Sequence, residues 1–224
     1  GQDGFSSEFN RIAAAENILT TNLRDGRSDT WRDYQQVLPT IGCMVSTRLS
    51  SSLKITDIGK FLLEKELTFN EVLTIQAIRI QYPNGNTVSN GIWKNQHKKG
   101  MLVKPALILL RTLFSLYEKE ENSAYITINE CQEFAIGCLR NRDLSGDILD
   151  KRSAGSPFDP SINEHSRRNV QDWYKLLGNT LLFELADNNR NPQLKLTNFS
   201  LKESEVLKQI CEEAEKGNGY WVPS

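Results

Sequence analysis

The run 104–119, KPALILLRTLFSLYEK, is the feature that most constrains this chain. Ala106, Leu107, Ile108, Leu109 and Leu110 are followed by Leu113, Phe114 and Leu116. At helical spacing these residues are apolar nearly all round. Such a helix is stable only when other elements surround it, so it marks a buried central helix. Pro105 sits near its first turn, where a missing N–H costs nothing. No apolar run approaches the length of a membrane span without interruption by charge. The first ten residues, GQDGFSSEFN, have neither the basic region nor the apolar core of a signal peptide. A first residue of Gly rather than Met is expected of a trimmed or excised piece.

A length of 224 residues allows one large domain or two to three small ones, and 38% hydrophobic with 25% charged residues indicates a soluble globular chain. The cysteines are Cys43, Cys131, Cys138 and Cys211. With no CxxC pair, a zinc site is not expected. Each lies in an apolar helical pattern, so buried free thiols and a cytoplasmic location are expected. Only His97 and His165 are present, which supplies little for His-based catalysis. Net charge is −1, but the charge is unevenly spread. Residues 72–117 contain no Asp or Glu and hold Arg79, Lys94, Lys98, Lys99, Lys104 and Arg111, a local charge of +6. The last helical segment carries Glu203, Glu205, Glu212, Glu213 and Glu215. This asymmetry points to a polyanion-facing region.

Along the chain, residues 7–23 read as a helix, followed by an Asp25-Gly26 turn. A second helix opens at Ser28 or Asp29 and runs through Met44 and Val45, kinked or divided at Pro39. Its exposed face shows Arg32, Gln35 and Gln36. A short strand, Leu53-Lys54-Ile55, leads to an N-cap at Thr56. Three capping boxes open helices, Thr68–Glu71, Thr127–Glu130 and Ser200–Glu203. The second of these helices follows a short strand at 124–126 and is expected to reach Leu139. Residues 84–100 and 141–164 read as long polar loops, the first held to the core by Trp93.

The segment 166–198 reads as helix, strand, turn and strand. Val170, Trp173, Tyr174 and Leu177 make one apolar helical face. Gly178 ends that helix. Leu181, Leu182, Phe183 and Leu185 form a strand, 187–192 a turn, and Leu194 and Leu196 alternate with polar residues in a second strand. This is the back half of a winged helix. The fold expected is therefore mainly α with minor α+β character: tandem winged-helix-like units with short β-wings. The units divide as 1–100, with the basic loop, and 101–224, with the central helix.

At 55–63, ITDIGKFLL, followed by the helix 68–82 and QYPNG, the chain resembles the DNA-recognition region of type IIS restriction endonucleases of the FokI and AlwI kind. KPALILLRTLF, YITINECQEFAIG and SRRNVQDWYKLLGNTLLFEL continue the similarity in the same order over roughly residues 28–215. The resemblance implies duplex DNA binding, specific for sequence or modification, in a bacterial restriction-modification or phage-defence setting. Cleavage would belong to a separate nuclease domain or subunit.

The residues themselves support binding better than catalysis. Asp147, Asp150 and Lys151, or Glu64 and Lys65, are the best carboxylate–lysine sets for a metal-dependent nuclease, but none lies on an expected strand. Asp147 and Asp150 read as loop caps and solvated charge. No P-loop, GxGxxG, GxSxG or HExxH motif occurs. No catalytic residue, metal ligand or cofactor is therefore assigned. For DNA, Arg167, Arg168, Asn169, Gln171 and Lys175 are the base-reading candidates, since Arg, Asn and Gln pair with base edges. Lys94, Lys98 and Lys99 would grip phosphate. Arg32, Gln35 and Gln36 form a second reader, and Arg190 and Lys195 would reach the backbone from the wing. The expected partner is double-stranded DNA, not a membrane. The alternatives are a protein-interaction accessory subunit built from winged helices and a type II, metal-dependent restriction endonuclease.

Overall fold

The structure is a computed structural model describing residues 11, 12, 15, 16, 23–24, 27–28, 37–45, 52, 54–84, 90–157, 164–186 and 191–220. Most of the expected helix 7–23, the start of the second helix with Arg32, Gln35 and Gln36, the turn residues 187–190 with Arg190, and Asp25-Gly26 lie outside these residues. Two short strands flank the last of these, β1 (Leu23–Arg24) and β2 (Arg27–Ser28), paired antiparallel with Arg24 opposite Arg27. Leu23 is therefore in extended pairing, not helix. The described part of the second helix ends at Thr40. Met44 instead makes an antiparallel bridge to Ile55.

The core is built around α4 (Pro105–Lys119), numbered after α1 (Asp57–Leu63), α2 (Phe69–Arg79) and α3 (Asn90–Lys98). From Ala106 to Leu116 every residue of α4 except Arg111 is buried, as its all-round apolar sequence requires. Strand β3 (Ile126–Thr127) leads into the short helix α5 (Ile128–Glu130), which continues as a π-helix, Cys131–Ala135. Then come α6 (Ser145–Ser153), α7 (Glu164–Leu177), β4 (Phe183–Ala186), β5 (Gln193–Leu196), α8 (Asn198–Lys202) and α9 (Ser204–Glu215). The three-stranded sheet is antiparallel in the order β3-β5-β4, with Leu194 facing Ile126 on one side and Leu185 on the other. The chain is thus mainly helical with a small antiparallel sheet, as expected.

A large apolar cluster gathers around α4. A smaller one holds Ile41, Cys43, Val72 and Leu73. Helix α2 contributes to both, since Ala77 belongs to the first. Thr74 adds a polar tie: its hydroxyl donates to the Asn70 carbonyl at 2.7 Å and accepts from the Leu181 amide at 2.8 Å, fixing α2 to the turn after α7.

The Thr56-x-x-Gly59 pattern has a physical basis. Thr56 Oγ1 caps α1 by accepting from the Gly59 amide at 3.1 Å and donates to the Gly42 carbonyl at 2.6 Å. A Cβ on Gly59 would lie 2.2 Å from the Cys43 carbonyl oxygen, so no larger residue fits that approach. Gly178, just past the end of α7, is held to glycine in a similar way, because a Cβ there would meet that of Leu185 at 2.9 Å.

Two capping boxes form as expected, at Thr68–Glu71 and Thr127–Glu130. The third does not. Thr197 caps α8, accepting from the Ser200 amide at 3.1 Å, while Ser200 is fully buried with its hydroxyl donating to the Leu182 carbonyl at 2.7 Å. The helix opened at Thr127 does not run to Leu139, because it passes into the π-helix and ends there. Both expected long loops contain helices. Residues 90–98 form α3 around the buried Trp93, and 145–153 form α6 around the buried Ile148. A single apolar anchor per helix is too weak a period to show in sequence.

Glu130 is 2% exposed, yet its carboxylate accepts four hydrogen bonds. Its Oε2 accepts from the Thr127 amide at 2.7 Å and from Thr127 Oγ1 at 2.9 Å. Arg152 of α6 donates to both carboxylate oxygens, at 2.7 and 3.0 Å, and to the carbonyls of Ser123 and Tyr125. Arg152→Ala leaves a buried carboxylate uncompensated, which costs about 3–5 kcal/mol. Chemical denaturation should show a loss of that size.

Burial pushes the Cys131 and Cys211 thiols from the usual 9.0 up to about 12. In the unfolded chain both release their protons near 9, while the folded chain retains them to about 12. The unfolded state binds fewer protons in this window, so stability falls as pH rises from 9 to 12. Thermal melts across that range should show a falling Tm, with a shallower fall in Cys211→Ala.

Candidate nucleic-acid interface

Helix α7 buries one stripe: Val170, Tyr174 and Leu177 are each 5% exposed or less. Trp173 is half-buried and meets the Tyr82 ring edge-on, with centroids 6.5 Å apart. The Tyr174 hydroxyl lies 3.2 and 3.1 Å from the Ile126 and Thr127 carbonyl oxygens, fixing α7 to β3. Burial raises the Tyr174 pKa well above the usual 10, so this hydroxyl stays a donor.

The opposite face of α7 exposes Arg168, Asp172 and Lys175, Asn169 is exposed at the edge of the stripe one turn before Trp173, and Gln171 is half-buried. Arg168 and Asp172 approach to 4.0 Å with both side chains mostly exposed, a contact worth little. Arg167 is half-buried and donates from Nη1 to Asn129 Oδ1 at 2.5 Å. It is therefore tied into the fold, while Arg168 is presented to solvent.

Helix α3 sets Lys94 and Lys98 one turn apart on a shared face, with Lys99 following, all three exposed. Trp93 is 6% exposed and anchors them, as expected of a residue that pins this segment. Not all of the acid-free stretch is available. Lys104 is buried with its ammonium 5.1 Å from the Tyr220 ring centroid, and its pKa is lowered by burial and by nearby Arg79. Arg111 faces Glu215 at 3.4 Å. Arg79, Lys94, Lys98 and Lys99 remain exposed.

A cavity of about 370 Å³ lies between α3, α4, the π-helix and α7. Gln96 of α3 and Asn169 of α7 both line it, with Tyr82, Trp173, Cys131 and Ile136 among the walls. The helix and the basic segment offered to DNA by the sequence, α7 and the stretch that forms α3, thus border one concave site. Lys195 is placed elsewhere. It stands opposite Glu184 in the sheet and shares a hollow with Tyr117 and Glu121. Tyr117 is eight residues beyond Leu109 of the cavity wall, about 12 Å along α4. Sequence reasoning missed the cavity itself and the place of Gln96 in it. The one available signal was the seven-residue spacing of Cys131 and Cys138, both of which line it.

Asp147 and Asp150 lie on α6, not in a loop, and Asp147 pairs with Arg142 at 2.9 Å. Lys151 donates to Glu133 at 2.8 Å. Among the described residues no three His, Cys, Asp or Glu side chains cluster as a metal site would require. No helix among them is long and apolar enough to cross a membrane.

Comparison with solved structures identifies a similar chain in a crystal structure of pyrene- and phenanthrene-modified DNA in complex with the BpuJ1 endonuclease binding domain. The match has a TM-score of 0.67 at 14% identity and covers 95% of this chain and 74% of that one. The two chains share a fold. No family model and no curated protein matches the sequence. The expected resemblance is thus met as a shared fold with an endonuclease binding domain, and it does not single out the FokI and AlwI kind.

The different settings of the two α7 arginines give distinct expectations. Arg167→Ala should lower stability by about 1 kcal/mol through loss of its hydrogen bond, while Arg168→Ala should stay within about 0.5 kcal/mol of the parent. Urea denaturation of both variants checks this.

Proposed function

We propose that this chain is a non-catalytic, duplex DNA-recognition module of a bacterial restriction or phage-defence protein. The observation that carries the reading is the fold shared over 95% of the chain with an endonuclease binding domain solved on DNA. The placement of the basic residues supports it. Lys94, Lys98 and Lys99 on α3 neutralise phosphates, and Arg168, Asn169 and Lys175 on α7 reach base edges in the major groove. In this reading α7 with β4 and β5 acts as a winged helix, in the 101–224 half, and the 1–100 half carries a second unit with Arg32, Gln35 and Gln36. Arg167 positions α7 through Asn129, and Arg190 and Lys195 touch the backbone from the wing. A nuclease domain or subunit would supply cleavage, and the protein would act in the cytoplasm.

The acidic α9, with Glu205, Glu212, Glu213 and Glu215, favours a second reading, an accessory module that binds a protein partner. Salt separates the two, because each phosphate contact adds to the steepness with which salt weakens DNA affinity. Fluorescence anisotropy with mixed-sequence duplex at two salt concentrations should show binding that weakens steeply with salt. Replacing Lys98 and Lys99 together by Ala should lower the slope of log K against log salt by about 2, and Arg168→Ala should cost about 1–3 kcal/mol if it reads a base. No binding at low salt would refute the proposal. Cleavage of the duplex on adding Mg²⁺ would instead revive the nuclease reading.

A further inference from the structure

We infer that the cavity between α3, α4, the π-helix and α7 receives one nucleobase rotated out of the bound duplex. This rests on the DNA-recognition reading and deepens it. A nucleobase has two apolar faces and a polar edge, and the site matches both. Its walls include Val103, Ile108 and Leu109 with the rings of Tyr82 and Trp173. Its polar lining includes the side-chain amides of Gln96 and Asn169, contributed by different helices. An amide offers a donor and an acceptor together, which is what the pairing edge of a base presents. Neither amide has a hydrogen-bond partner given by the structure among the described residues, so both are available.

Size and charge agree with this occupant. About 370 Å³ falls in the range of small-ligand sites, roughly 300–1,000 Å³. Among the described residues, no carboxylate lines the cavity. The helices that border the cavity also expose Lys94 and Lys98 on α3 and Arg168 and Lys175 on α7, cations suited to the phosphates of a duplex bound nearby.

The test follows from the cost of extruding a base, which is lowest where the base is mismatched. The duplex that the full chain selects from a random pool is remade fully paired, and then with a single mismatch at each position in turn. Anisotropy at low salt should show roughly tenfold tighter binding for a mismatch at one position. Ala135→Trp, which fills the cavity from the π-helix, should abolish that preference while binding to the paired duplex persists. If Ala135→Trp does not fold, alkylation of Cys138 in the native protein by N-ethylmaleimide fills the same space. Cys138 is the one cysteine of the four that is not buried, and Cys138→Ala provides the control. Equal affinity for paired and mismatched duplexes overturns the cavity inference and leaves DNA recognition standing. A preference that survives filling overturns it too, since duplex flexibility then accounts for the preference. Failure of the parent chain to bind any duplex overturns the recognition reading and this inference with it.

Discussion

Glu130 takes hydrogen bonds from the Thr127 backbone, the Thr127 hydroxyl and both faces of the Arg152 fork. Arg152 in turn stacks 4.1 Å from the centre of the Tyr125 ring and holds the carbonyls that lead into β3. The Tyr174 hydroxyl reaches the same few residues from α7. A buried carboxylate is tolerable only when its lone pairs are satisfied, and here one residue type per direction satisfies them. The entry to the sheet, the start of the π-helix, α6 and α7 therefore share one set of polar contacts. The orientation of α7, and with it the exposure of Arg168, Asn169 and Lys175, depends on that set remaining closed.

The sequence made the strongest elements legible and the weak ones not. The apolar run 104–119, the stripe on 170–177 and the capping boxes at Thr68 and Thr127 are local patterns, and each appears where its residues place it. Helices α3 and α6 were hidden because their burial rests on lone anchors, Trp93 and Ile148, amid polar residues. The box expected at Ser200 failed because a tertiary contact, its hydroxyl on the Leu182 carbonyl, outweighs a local capping pattern that Thr197 fulfils three residues earlier.

The candidate site was half legible. The polar face of α7 follows from helical spacing, whereas Lys94, Lys98 and Lys99 were legible as a basic stretch but not as one face of a helix. The convergence of the two helices on one cavity depends on long-range packing of Tyr82, Trp173 and Tyr174, which no local pattern encodes. Lys104 and Arg111 show the converse. They counted toward a basic stretch, yet one lies against Tyr220 and the other faces Glu215.

The π-helix gives the cavity an origin in chain length. The Ile136 amide donates to the Cys131 carbonyl five residues back, at 3.2 Å, so this turn holds one residue more than an α-turn does. Removing one residue from Cys131–Ala135 would let an ordinary turn close and would rotate everything after it by about 100°. Ile136 and Cys138 would then leave the wall they now form. The extra residue of this one turn is thus what holds that wall of the cavity in place.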